Sequence, residues 1–240
     1  MKLPLFSLAL CTAACIAVPV REELPPPARR AVPACVLPAP QRALELAWDE
    51  DSSLDALLRA LTEATGLAVV QSETSRGVAQ AAPLGLGAGS PNPLRVPPHE
   101  VYSVAEALLA SAGFVTAPLH QGETILLGVY ARSDRDVVNA IPVPVTPDEA
   151  LEIYADHRAL LVTTTVELPG SDVRQLSTML RAKTTDTRTQ AILPLASNSL
   201  HLQGTGAWVA GILRIVLASD RASVEQASLE RSAATRDRSR

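Results

Sequence analysis

Aromatic residues are scarce: two tryptophans, three tyrosines and two phenylalanines in 240 residues. Their absence removes the ring platforms on which bases and sugars stack, and so argues against single-stranded nucleic acid and carbohydrate as ligands. Lysine is almost missing, with Lys2 and Lys183 alone, and acids outnumber Lys plus Arg by 25 to 21. A net charge of -4 provides no basic field to hold a phosphate backbone, so no nucleic-acid partner is expected. Of the three cysteines, Cys11 and Cys15 fall within the first twenty residues and Cys35 stands alone among prolines. That pattern excludes a disulfide framework and a cysteine metal cluster.

Catalytic patterns are also missing. His99, His120, His157 and His201 lie far apart without i, i+4 pairing, and read as isolated surface or strand residues. The run Gly204-Thr205-Gly206-Ala207-Trp208-Val209 opens a helix after a strand, yet Val209 stands where a dinucleotide fingerprint needs its third glycine. It reads as a tight turn with Thr205 as helix cap. Gly85, Gly87 and Gly89 lie between prolines, which suits a loop and not a phosphate cradle. Asp49-Glu50-Asp51 and Asp148-Glu149 sit at helix starts, where free amides account for them, and Arg132 and Arg135 read as a solvated surface. No nucleophile, base or metal set emerges, so no catalytic residue, metal or cofactor is expected.

What the sequence does contain is enough apolar material, 47% of residues, to bury real cores. Residues 1–20 read as an export signal: Met1-Lys2, then an uncharged apolar stretch reaching small residues. A transmembrane anchor is the rival reading, weakened by Pro4, Ser7, Thr12 and Pro19. Thr12-Ala13-Ala14-Cys15 resembles a lipoprotein cleavage box, departing from it at Thr12 where leucine is usual, and makes Cys15 a candidate for lipidation. Prolines deny donors and favour extended backbone, so 21–42 is expected to be a spacer.

Leu44-Glu45-Leu46-Ala47-Trp48 alternates like a half-buried strand. Ser52 with Asp55 is expected to cap a helix carrying Leu54, Leu57, Leu58 and Leu61, stopped by Gly66 before a strand from Leu67 to Val70. Residues 83–98 read as a loop containing one short strand, Leu94-Arg95-Val96. The unit then repeats: Ser103 with Glu106 reads as a capping box, Gly113 as the stop, followed by strands at 114–117 and 124–130 around a Gln121-Gly122 turn. The connector 132–161 contains Pro142, Pro144 and a short helix at Pro147 capped by Thr146 and Glu149. Beyond it the order is βαββα: a strand at 162–168, a helix capped by Asp172 and carrying Val173, Leu176 and Leu180, and a hairpin turning at Ser197-Asn198-Ser199. A last helix follows at 205–218, with a polar tail at 221–240 expected to be disordered.

Within the stretches 44–70 and 95–130, Ser52-Ser53-Leu54-Asp55-Ala56-Leu57-Leu58 and Ser103-Val104-Ala105-Glu106-Ala107-Leu108-Leu109 are near copies, each helix ending at a glycine before an apolar strand. In that order the two stretches resemble the STN domain shared by secretins and the signalling domain of TonB-dependent receptors. Residues 162–220 are similar to the KH-like secretin N-domain, through Val166-Glu167-Leu168, Ser199-Leu200-His201-Leu202-Gln203-Gly204 and a final helix ending in Ala218-Ser219-Asp220. The resemblance implies an α+β chain of two small modules, each a small sheet on two helices: an STN-like βαββαββ at 43–131 and a KH-like βαββα at 162–220. A secretin's pore domain is not expected after Asp220. The implied role is a non-catalytic periplasmic interaction module of the type II secretion pathway. Its implied partners are envelope or secretion-system proteins, such as a secretin or an inner-membrane platform, or further copies of itself. Membrane contact would be through the N-terminus alone. A signalling domain like that of TonB-dependent receptors is the alternative reading, and a hydrolase or other enzyme the third.

Overall fold

The computed structural model describes residues 37–47, 53–81, 92–120, 125–195 and 198–238. The readings of the export signal, Cys15, Cys35, most of the linker, Trp48, Asp49 to Ser52, the glycines at 85–89 and the Gln121-Gly122 turn lie outside these residues. In strand β1 (Leu44–Leu46) both leucines are buried and Glu45 is exposed, the period of a half-buried strand. Helix α1 (Leu54–Thr65) buries Leu54, Leu57, Leu58 and Leu61, one face at helical spacing. It stops at Gly66, whose φ of 73° costs a glycine little and whose N–H reaches the Thr62 carbonyl.

After strand β2 (Ala68–Gln71) comes helix α2 (Glu73–Ala81), which apolar periodicity does not predict because its buried face is only Ser75 and Ala79. Ser72 starts it, its hydroxyl oxygen accepting from the Ser75 N–H at 3.0 Å. Strand β3 (Leu94–Val96), helix α3 (Val101–Ser111), strand β4 (Phe114–His120) and strand β5 (Leu126–Ala131) complete the N-terminal region. Here the expected single sheet on two helices is corrected to two sheets and three helices. β1 pairs antiparallel with β3 alone, while the other sheet runs β2-β5-β4. The reason lies in strand direction. β2 is parallel to β5, and a parallel partner needs a long crossover. That crossover carries α2, β3, α3 and β4.

The C-terminal region follows the expected βαββα order: β7 (Leu161–Glu167), α5 (Val173–Leu180), β8 (Ala191–Pro194), β9 (Ser199–Thr205) and α6 (Gly206–Arg238). Two connector elements precede it, β6 (Val143–Pro144) and α4 (Pro147–Glu152), and β6 joins the sheet parallel to β7 to give the order β6-β7-β9-β8. The Thr146–Glu149 capping box is present, and Asp172 accepts from the N–H groups of Arg174 and Gln175. The tail expected to be disordered is instead a continuation of α6 as far as Arg238. No glycine or proline interrupts the sequence after Gly211, and side-chain pairs one turn apart such as Gln226–Glu230 support the helix.

All described residues belong to one compact unit, so the chain is α+β with its two regions in contact. One apolar core gathers Leu54, Leu57, Leu109 and Phe114 of the N-terminal region and takes in Ala159 from just before β7. A second core takes Leu67 and Leu127 from that region and packs them with Leu160, Leu200, Leu202 and Leu213. The backbone is joined as well, because the Thr116 N–H in β4 donates to the Ala159 carbonyl at 2.8 Å beside a parallel bridge from Thr116 to Leu160.

Candidate functional site

Glu106 does not cap α3. The helix begins at Val101, before Ser103, and so carries Glu106 into its second turn, where only 5% of its surface is exposed. There Oε2 accepts from the N–H groups of Ala159 and Leu160 at 3.0 and 3.3 Å, and Oε1 lies 2.6 Å from His157 Nδ1. His157 is therefore neither isolated nor a strand residue, as its spacing in the sequence suggested. It stands just before β7, where the two regions meet, with its side chain 19% exposed. Burial of the imidazole disfavours its charge. The hydrogen bond to Glu106 and the charges of Glu106 and Asp156 outweigh that and hold it above the usual imidazole range.

A second buried acid fixes the chain just after β5. Asp134 accepts from the hydroxyls of Ser72 and Ser75, the latter at 2.7 Å, and from the Asp136 N–H at 3.0 Å. The Ser75 oxygen in turn accepts from the Ala131 N–H. Burial would raise the Asp134 carboxyl, but these donors hold it below the usual carboxylate range. Beside it Arg188, from the loop before β8, donates to the carbonyls of Arg132 and Ser133 at 3.2 and 2.7 Å. Asp134 and Arg188 thus tie the chain just after β5 to α2 and to the loop before β8.

The remaining histidines lie apart from the Glu106–His157 pair. His99 meets Glu100 on the surface, His120 is exposed at the end of β4, and His201 bridges Thr163 and Thr165 across the open face of the C-terminal sheet. Among the described residues no group of three His, Cys, Asp or Glu is placed to hold a metal. Gly204 and Gly206 serve packing: a Cβ on the first would meet the Trp208 ring at 2.5 Å, and on the second the Tyr154 carbonyl oxygen at 2.2 Å. Thr205 ends β9 immediately before α6. No helix among the described residues is long and apolar enough to cross a membrane.

A groove of about 550 Å³ opens between one face of α1 and strand β2. It is lined by Leu58, Thr62, Val69, Val70 and Gln71, with two acids, Asp55 and Glu63, and two bases, Arg59 and Arg76. Among the described residues β2 is an edge, paired with β5 on one side only, and Val70 on it is 43% exposed. Edge strands offer unpaired N–H and C=O groups to an incoming strand. The sequence reading missed this site because it depends on which strand ends at the sheet edge, which apolar spacing does not encode.

No family model matches the chain, and no curated protein matches it. Solved structures do. The chain is similar to part of the Klebsiella pneumoniae type II secretion outer-membrane complex of PulD, PulS and the PulC HR domain, with 18% identity and a TM-score of 0.48 over 71% of this chain and 26% of that one. It is similar to the GspC–GspD complex of enterotoxigenic Escherichia coli, with 13% identity and a TM-score of 0.25 over 75% and 99% of the two chains. It is also similar to the N-terminal domain of the secretin XcpQ from Pseudomonas aeruginosa, with 14% identity and a TM-score of 0.24 over 75% and 64%. The chain thus spans about a quarter of the length of the first of these, and all three come from type II secretion secretins or their complexes.

Proposed function

We propose that this chain is a non-catalytic interaction module of the bacterial envelope, acting in protein secretion through an extended strand of a partner that adds to β2. The observation that supports the reading is that β2 lies at the sheet edge beside the α1 groove, with no second strand among the described residues. Main-chain groups there supply affinity, the half-exposed Val70 a place for an apolar side chain, and the paired acids and arginines a fit to a segment of mixed charge. Residues 43–131 and 162–220 act as its two domains, joined by 132–161. Residues 1–20 export the chain to the periplasm, and Cys15 is its site of lipid attachment if the signal is of the lipoprotein type. The partner class follows the resemblance of 44–130 and 162–220 to secretin N-terminal domains: a secretin or an inner-membrane platform protein of a type II secretion system.

Site-specific photo-crosslinking tests this. A photoreactive residue at Val70 is expected to give one adduct with a secretion-system component, identified by mass spectrometry, whereas the same probe at exposed Met179 on α5 does not. No adduct from Val70, or the same adducts from both positions, would contradict the reading.

A further inference from the structure

His157 sits where several elements converge. Its Nδ1 faces Glu106 of α3, its carbonyl accepts from the Ala207 N–H in the first turn of α6 at 2.8 Å, and its ring lies 5.3 Å from that of Tyr154. Space around it is tight, since a Cβ on Gly206 would come within 3.0 Å of the His157 Cβ. Glu106 meanwhile holds the amides of Ala159 and Leu160, which lead directly into β7. One carboxylate therefore ties α3 to the imidazole and to the entry of the C-terminal sheet together.

The charged and titratable groups around the ring are few. α3 supplies Glu106, and the loop of His157 itself supplies Tyr154, Asp156 and the neighbouring Arg158. The first turn of α6, Gly206-Ala207-Trp208, contributes none, and neither does Thr116 of β4, which bonds to Ala159. The charges of Glu106 and Asp156 favour the protonated imidazole.

We propose that the Glu106–His157 pair is a pH-operated clamp between the two regions. With His157 protonated, carboxylate and imidazolium draw α3 onto residues 157–160. With the imidazole neutral, the ion pair is lost and that segment opens more readily, although the hydrogen bonds to Ala159 and Leu160 remain. The direction follows from the sign of the perturbation. A base held above its usual range contributes stability that is fully present below its unfolded value, about 6.5 for histidine. That contribution fades as pH rises through the higher folded value. The clamp is tightest below about 6.5 and loosens as pH rises above it. This inference does not depend on the proposed secretion role.

Amide exchange of the full ¹⁵N-labelled chain tests it, read at Ala159 and Leu160 and corrected for the intrinsic pH dependence of exchange. Across a range from about one unit below to about two units above the ordinary histidine value, protection of both amides is expected to fall roughly tenfold. In His157→Gln, which keeps a neutral donor, the profile is expected to be flat. A flat profile in the unmodified chain, or one that persists in His157→Gln, would overturn the clamp. Should His157→Gln fail to fold, the imidazole titration of the unmodified chain decides by itself: a midpoint at or below about 6.5 overturns the proposal, and one above it supports it.

Discussion

In the C-terminal region the large buried side chains are leucines, among them Leu161, Leu168, Leu200, Leu202 and Leu213; the caps Asp172 and Thr146 are local, and one buried acid, Asp220, reaches the Gly170 N–H 50 residues away. The N-terminal region has its own apolar core, but its closure depends on two buried acids that act over long stretches of chain. Glu106 reaches amides 53 and 54 residues away, and Asp134 reaches a hydroxyl 59 residues away. The difference follows from topology. The antiparallel β8–β9 hairpin satisfies its backbone with near neighbours, whereas the parallel β2–β5 pairing leaves ends and crossovers whose polar groups must find distant partners. Long-range contacts thus occur in both regions, and those of Glu106 are the ones that tie the N-terminal region to the chain entering β7.

This contrast can be broken at the shared core. Leu213→Ala should cost about 2–5 kcal/mol and destabilise both regions together in urea unfolding, because Leu213 packs in the cluster that takes Leu67 and Leu127 from the N-terminal region. A smaller loss, about 1–3 kcal/mol, is expected for Ser75→Ala, which leaves the Ala131 N–H without its acceptor and removes a donor from Asp134. Here pH sharpens the comparison. An acid held below its usual range contributes stability that is present above its unfolded value, about 3.9, and lost as pH falls through the lower folded value. Acid unfolding should therefore release the α2 contacts, seen as faster exchange at Ala131, before it affects the leucine core of the C-terminal sheet. The smallest effect belongs to a local cap: Thr146→Ala should cost about 1 kcal/mol, measured by thermal unfolding, with no change in the Ala131 exchange.

The same contrast decides what could be read from the sequence. Val173, Leu176 and Leu180 form the buried stripe of α5 that their spacing predicts, and Asn198 takes the positive φ of 56° that a tight hairpin turn favours in asparagine. In the N-terminal region Gly66 and Gly113 are the helix stops expected of them, with φ of 73° and 81°. The Ser103–Glu106 spacing, however, imitates a capping box because a short-range rule cannot see that Glu106 faces a backbone half a domain away. Helix α2 escaped notice for the opposite reason: its buried face is a serine and an alanine, with the serine held by Asp134 and not by apolar packing. The β2 edge and its groove follow from strand order, which depends on pairing between residues near 70 and near 128.

Scanning calorimetry of the full chain tests the central claim that polar junctions and a shared core make the two regions one cooperative body. The account predicts a single transition whose calorimetric and van't Hoff enthalpies agree, becoming two separable transitions in Glu106→Ala, where the junction loses its acceptor. Two transitions in the unmodified chain, or one unchanged transition in Glu106→Ala, would contradict it.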